Sequence, residues 1–595
     1  MKMVAQSRFH LVLIKPSHYD DEGYVIQWVR SSMPSNSLAA VYGLATDCAR
    51  RMVLGPDIKI TIDPQDETNT RIRPARIADD IRAAGAGMVG LVGVQSNQYP
   101  RAMDLARQFR ALGIDVVIGG FHVSGTLSML PGIAAELQEA IDLGIALYAG
   151  EAEDGLEALL KDAAAGQLKP LYNHMDNLPN LAGVPIPFLP QDRIKRTSGM
   201  VTTFDAGRGC PFQCSFCTII NVQGRKSRFR TPDDVEAIVR LNAAQGVRSF
   251  FITDDNFARN KDWETLFDRI IELREREGLR LKLTIQVDTL AHRIPRFIEK
   301  AGRAGVVRVF IGLESINPES LVAAKKKQNR ITEYRNMLLA WKSIHVVIWA
   351  GFIIGFPGDT PETVMRDIGI IQRELPIDFL EFFMLTPLPG SEDHQKLALA
   401  GVPMDADFNR YDTFHVVTDH PKMSREEWHR TYWRAWEAYY TFEHMETLMR
   451  RAAATGISLG KMLNYLVSFW GLSLVERMHP LEGGYGRVKV RTLRRPGMQI
   501  VPAWRFWPVF ALSTLVKFGR IGLMIAHFLR LRRQLKRDPK AALYRDLALT
   551  PVADEGPLEL FTATPSAVAT AAKRKRPAEA HAATPLAQPV SEAAS

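Results

Sequence analysis

Twice along its length the chain alternates short apolar runs with helix-like stretches, and that rhythm restricts the fold more than any other feature. Over residues 10–155 the runs HLVLIKPS, IKITIDP, GMVGLVGVQSN, DVVIGGFHVSG and ALYAGEAED each read as a buried strand ending in small or polar residues. SLAAVYGLATDCARR and PRAMDLARQFRALG lie between them as helices, the second stopped by Gly113. Such units bury both faces of a parallel sheet, so residues 8–160 are expected to form an α/β, doubly wound, Rossmann-like domain. Its ligand should sit beyond the C-terminal strand ends, where Ser96, Asn97, Gly119, Gly120, His122, Gly150 and Glu151 fall. A connector with scattered prolines, residues 161–198, leads to the second series over 199–395. Its strands are VTTFDAG, RSFFITDD, LKLTIQVD, VVRVFIGLES, VVIWAGFIIGF and FLEFFMLTPL. Six strands, each followed by a helical pattern, suggest a partial (βα)6 barrel rather than eight closed units.

Residues 396–552 read as a helical, basic, aromatic-rich C-terminal domain. A capping-box pattern at Ser424 opens the helix of Trp428, Tyr432, Trp433, Trp436, Tyr439 and Tyr440, a stripe that suits core packing. Residues 553–595, rich in Ala and Pro, are expected to be a disordered tail in which Lys573, Arg574, Lys575 and Arg576 are only a charge run. The net charge of +10 is unevenly placed: residues 487–545 hold 15 Lys+Arg against one acid, Asp538, so the remainder is net acidic. Within that segment WRFWPVFALSTLVKFGRIGLMIAHF precedes RLRRQLKR. Its longest uncharged run, Phe506 to Val516, is 11 residues, short of the roughly 20 that span a bilayer. The mixture suits a helix lying on an anionic membrane surface, with a buried helix carrying a solvated basic face as the competing reading. No nucleic-acid-binding module accompanies the basic segment, which argues against such a partner.

Four cysteines cannot build a disulfide framework, and three of them share one window, RGCPFQCSFC, residues 208–217. The start MKMVAQSRFHLVLIKP shows no signal-peptide pattern, and the cysteine usage points to a reducing compartment, the cytoplasm. Cys48 reads as a small buried hydrophobe. Zinc usually takes four ligands, as paired C-x-x-C units or a Cys/His set, and no fourth cysteine lies near the window. Cys210, Cys214 and Cys217 can instead hold three irons of a [4Fe–4S] cube and leave the fourth open. Structural zinc stays as the competing reading, and Arg228 and Arg230 in KSRFRTP read as a solvated loop, with a contact to a cofactor or substrate carboxylate as the lesser alternative.

C-x-x-x-C-x-x-C on the loop after the first strand of a six-unit barrel resembles the radical S-adenosylmethionine (SAM) superfamily. The resemblance implies that SAM chelates the open iron and is cleaved by one electron, from a ferredoxin- or flavodoxin-type donor, to a 5′-deoxyadenosyl radical. It places Phe216 against the adenine and Asp254 or Asp255 near the methionine amine, where the family usually carries Gly-Gly-Glu. Glu314 falls at the ribose position, Gly355 and Pro387 in the adenine-side loops, and Gln286 and Asp288 at the same mouth. A doubly wound domain ahead of such a barrel resembles the cobalamin-dependent subgroup, and its strand-end residues named above would face cobalamin. The D-x-H-x-x-G motif is missing, because glycine replaces the aspartate before His122, so His122 is expected near the corrin or its tail and not on cobalt. A vestigial domain that binds nothing is the competing reading.

The resemblance to this subgroup implies a C-methyltransferase using methylcobalamin on an unactivated carbon. GYVIQWVRSSMPSNSLAAVYGL and YRDLALTP look similar to hopanoid C-3 methylases, which act on bacterial pentacyclic lipids. A lipid-like substrate would account for a peripheral contact of residues 487–545 with the inner membrane surface. The alternatives are an oxidative cyclase of the porphyrin-ester type and a non-catalytic cobalamin- or metal-sensing scaffold.

Overall fold

The computed structural model describes residues 7–573. Residues 1–6 lie outside the described residues, as do the expected tail from 574 onward and all but the first member of its charge run.

β1 (Ser7–Lys15), β2 (Ile58–Asp66), β3 (Gly85–Leu91), β4 (Asp115–Gly119), β5 (Ala146–Ala149) and β6 (Leu171–Asn173) form a wholly parallel sheet in the order β2-β1-β3-β4-β5-β6. Alternation along β1 sends Phe9, Leu11 and Leu13 toward α1 (Asn36–Arg50) and Val12 and Ile14 to the opposite core. Five strands were expected. The sixth lies inside the stretch read as connector, and its three residues are too few to show a period.

The second sheet runs in simple sequence order from β7 (Val201–Phe204) through β8 (Ser249–Ile252), β9 (Lys282–Val287), β10 (Val306–Glu314) and β11 (Val347–Ile354) to β12 (Phe379–Met384). All its pairs are parallel, and β7 and β12 are the open edges of a partial barrel. After β4 comes α2 (Phe121–Met129); beyond β12 comes α3 (Arg425–Tyr439), which covers the β12 side. Tyr440 donates its hydroxyl to the Leu380 carbonyl at 3.0 Å, and Trp428 its indole N–H to Ile354 at 3.1 Å. The aromatic stripe is therefore core. That core continues into α4 (Ala503–Arg537) through Met524, Phe528, Leu531 and Leu535. A short antiparallel ribbon joins Gln27–Ser31 to Gly484–Val488.

The expectation of disorder fails for residues 553–573. Leu558 and Leu560 are buried, and the Glu374 carboxylate accepts the amides of Glu559 and Leu560 at 2.7 and 2.9 Å before the helix Pro565–Ala571 begins. An Ala/Pro-rich composition hid two leucines that have apolar partners on the barrel.

Candidate active site at the junction of the two sheets

The strand-end loops of the two sheets meet. A Cβ on Gly125 in α2 would lie 2.4 Å from the carbonyl oxygen of Pro389, and Gly390 (φ +98°) approaches the Gly125 backbone from the loop after β12. Only glycine lets the two backbones come this close.

The loop after β7 carries Cys210, Cys214 and Cys217, all free thiols, with Cys214 buried and the other two half-buried. Burial pushes the Cys210 thiol up to about 11 and Cys217 up to about 12. Neighbours pin the loop from several sides. Asp254, whose carboxyl burial raises to about 7, accepts the amides of Ala206 and Gly207 at 2.7 and 2.9 Å. Ser215 donates its amide to the Ala324 carbonyl at 3.2 Å and its hydroxyl to Asp393 at 3.1 Å. Gln328 Nε2 lies 3.6 Å from Cys214 Sγ, and Lys326 is ion-paired with Glu314 while its ammonium sits 5.7 Å from the Phe216 ring centre.

Among the described residues no group of three or more His, Cys, Asp or Glu side chains converges closely enough to hold one metal ion. A lone zinc needs its thiolates about 2.3 Å from a single point. An iron–sulfur cube takes each thiolate at a separate corner. Three unpaired thiols on one pinned loop fit the cube with one corner left to another ligand.

The residues expected around SAM fall near this loop in unequal roles. Phe216 packs beside Phe356, Phe383 and Leu385, next to Gly355 and Pro387 in the loops after β11 and β12. Gly355 (φ +117°) leaves no room for a Cβ, which would meet the Trp428 ring at 2.1 Å. Asp255 is half-buried, pushed up to about 7 by burial, and accepts the Gly209 amide beside the first cysteine. Gln286 reaches from β9 to the Asp254 carbonyl at 3.5 Å. Asp254 itself braces the cysteine loop. Glu314 ends β10 at φ +61°, a left-handed conformation unusual outside glycine. Asp288 is consumed by Arg259, which donates to both its oxygens.

On the Rossmann side a cavity of about 180 Å³ lies between the sheet face and α1, opened by Gly90, Gly93, Gly119 and Gly120 and reaching Gly150, Glu151 and Arg208. A second of about 270 Å³ shares Asn36, Ser37 and Gly93 with it and is lined by His18, Asn97 and Glu482. Asn97 Nδ2 donates to Glu482 at 3.0 Å, and His18 Nε2 lies 3.1 Å from its other oxygen.

Three expectations need correction. Ser96 and His122 line neither cavity. His122 is fully buried, bonded to Ser96 Oγ at 3.2 Å and packed by Tyr99 and Phe408, with centroids 4.2 and 4.7 Å away, so burial pushes its imidazole down to about 3. Glu151 lines the first cavity but spends its carboxylate on Arg208, at 2.6 Å, and Arg228. The arginines read as a solvated loop are structural instead, with Arg230 only 1% exposed and paired with Asp205. Arg208 also holds Glu153 at 2.7 Å and Asp205 at 3.1 Å. Burial pushes Asp205 up, but Arg208 and Arg230 outweigh it and keep the carboxyl below its usual range. Sequence reasoning missed Arg208, Lys326, Gln328, His18 and Glu482. Lys326 hides in the run KKK, and Glu482 is separated from Asn97 by most of the chain.

Residues 205–369 match the Radical SAM superfamily model. The chain is 26% identical over 377 residues to the bacteriochlorophyllide d C-12(1)-methyltransferase of Chlorobaculum tepidum, covering 62% of this chain and 78% of that one. It is 26% identical over 321 residues to the hopanoid C-2 methylase of Rhodopseudomonas palustris, covering 53% and 58%. Among solved structures, the radical S-adenosylmethionine methyltransferase TsrM from Kitasatospora setae, with cobalamin and a [4Fe–4S] cluster bound, superposes with a TM-score of 0.55 at 16% identity, over 77% of this chain and 98% of that one. OxsB, a cobalamin-dependent S-adenosylmethionine radical enzyme, superposes at 0.50 with 14% identity, over 89% and 84%.

Proposed function

Residues 205–369 are a Radical SAM domain, and from that premise we propose that the chain is a cobalamin-dependent radical SAM methyltransferase acting on an unactivated carbon of a lipid-like skeleton. One observation carries the reading: Arg208, two residues before the first cysteine, also lines the cavity at the Rossmann strand ends. The three-thiol loop and the cavity therefore share a wall. Relatives named as methyltransferases, and neighbours solved with cobalamin, support the same pairing.

Cys210, Cys214 and Cys217 would hold the [4Fe–4S] cluster. Phe216, Asp255, Gln286, Glu314, Gly355 and Pro387 would border SAM, and Asn97, Gly119, Gly120 and Gly150 would border cobalamin. When bound, the cluster with SAM supplies a one-electron route to a carbon radical, and cobalamin supplies a methyl group. The chain's own contribution is positional. Asp254 fixes the loop amides that precede the cysteines. Gly125 and Gly390 set the spacing of the two halves, and the buried Trp428 ring packs against Gly355 in the loop after β11.

The specific substrate reading is a hopanoid methylated at C-3, taken from the membrane through a peripheral contact, with electrons from a ferredoxin- or flavodoxin-type donor. Of its two supporting stretches, YRDLALTP does a structural job: Arg335 donates to the carbonyls of Leu547 and Thr550. The other supplies Ile26 to the second cavity.

Anaerobically reconstituted protein given SAM and dithionite should release 5′-deoxyadenosine, and each of Cys210→Ala, Cys214→Ala and Cys217→Ala should abolish it. Methyl-labelled SAM with hopanoid-containing lipid extract should label the lipid. A cyclase would release 5′-deoxyadenosine without labelling, a scaffold would do neither, and zinc in place of iron would end the reading.

A further inference from the structure

α4 leaves an entire face uncovered. Trp504 is 77% exposed, Leu512 64%, Leu515 69% and Leu523 75%, and only 6% of an apolar 18-residue stretch of this helix is buried. The two charges that break the apolar run lie along the edge of this face, held by the protein: Lys517, half-buried, pairs with Glu476 at 2.7 Å, and Arg520, exposed, lies over the Trp470 ring. Phe506, Met524 and Phe528 face the protein. At 3.6 residues per turn, positions 512, 515, 516, 519 and 523 share the opposite side. Two turns on, that side carries Arg530, Arg533 and Arg537, all exposed and without a carboxylate partner among the described residues.

Apolar surface of this extent on a folded chain marks an interaction site. The helix contains no Asp or Glu, so a second copy docked on it would offer those arginines no partner from its own α4. Lipid phosphates would. Because one flank of α4 is occupied by the protein's own core, the helix lies side-on and does not cross the bilayer.

We infer that α4 is a monotopic membrane anchor. Its outer face rests in the headgroup–acyl boundary of an anionic leaflet, with Arg530, Arg533 and Arg537 against phosphates. The N-terminal end of α4 packs on Tyr24, with 5.6 Å between the Phe506 and Tyr24 rings, and that segment continues to Ile26 in the wall of the second cavity. The inference deepens the lipid-substrate reading but stands without it, since binding is read apart from turnover.

Full-length protein should float with phosphatidylglycerol-containing vesicles and scarcely with pure phosphatidylcholine. Leu512→Glu with Leu515→Glu should weaken binding at least roughly tenfold. Arg530→Glu with Arg533→Glu should weaken it roughly tenfold on the anionic vesicles alone. Brominated lipid should quench wild-type emission and spare a Trp504→Phe/Trp507→Phe variant. Retained circular dichroism and 5′-deoxyadenosine release in these variants separate loss of docking from loss of fold or of the radical site. Absence of flotation, flotation indifferent to Leu512→Glu/Leu515→Glu, or a concentration-dependent dimer that hides Trp504 and prevents flotation would each overturn the inference.

Discussion

Arg208 is one guanidinium shared among three buried carboxylates drawn from both halves of the junction. Removing it leaves Glu153 without its cation and Glu151 and Asp205 with one each, Arg228 and Arg230, which costs ~3–5 kcal/mol for a buried network of this kind. Arg208→Ala should therefore unfold at markedly lower urea and take up less iron on reconstitution. Arg208→Lys, which keeps the charge but loses the fork, should fall between it and the wild type. The three cysteines were legible as a cofactor loop because their spacing is local. Arg208 was not, because two of its three partners, Glu151 and Glu153, lie more than fifty residues away, and His122 misled because a strand-end position does not say which way a side chain turns.

Among elements, β12 holds the least comfortable group. Glu381 is fully buried opposite Gly351, with no hydrogen-bond partner for either carboxylate oxygen, and burial pushes its carboxyl up to about 8. The folded state keeps a proton that the unfolded chain releases near 4.5, so stability should fall as pH climbs from there to about 8 and level off beyond. Glu381→Gln should remove that fall and be more stable at pH 9 by on the order of 2–4 kcal/mol in urea titrations; an unchanged pH slope would show Glu381 ionised in the fold. The strands themselves were readable, since buried parallel strands are near-continuous apolar runs. β6 and the ribbon were not, because short strands are fixed by their neighbours. Counting uncharged residues along α4 also understated its apolar face, because Lys517 and Arg520 lie at its edge, held by Glu476 and the Trp470 ring.

At the scale of the whole molecule, barrel, helical region and the segment 553–573 share one core. Ending the chain at residue 552 would expose the sites of Leu558 and Leu560 and leave the Glu374 carboxylate without the two amides it caps. The loss should be on the order of 5 kcal/mol, seen as a lowered melting temperature and poor soluble yield. If the shortened chain melts with the full one, the segment is only an ornament. The ribbon has a kinetic meaning as well. Its first strand has no antiparallel partner until Val488 has been made, so the tie between residues 27–31 and the helical region closes only after the strands of both sheets have been synthesised.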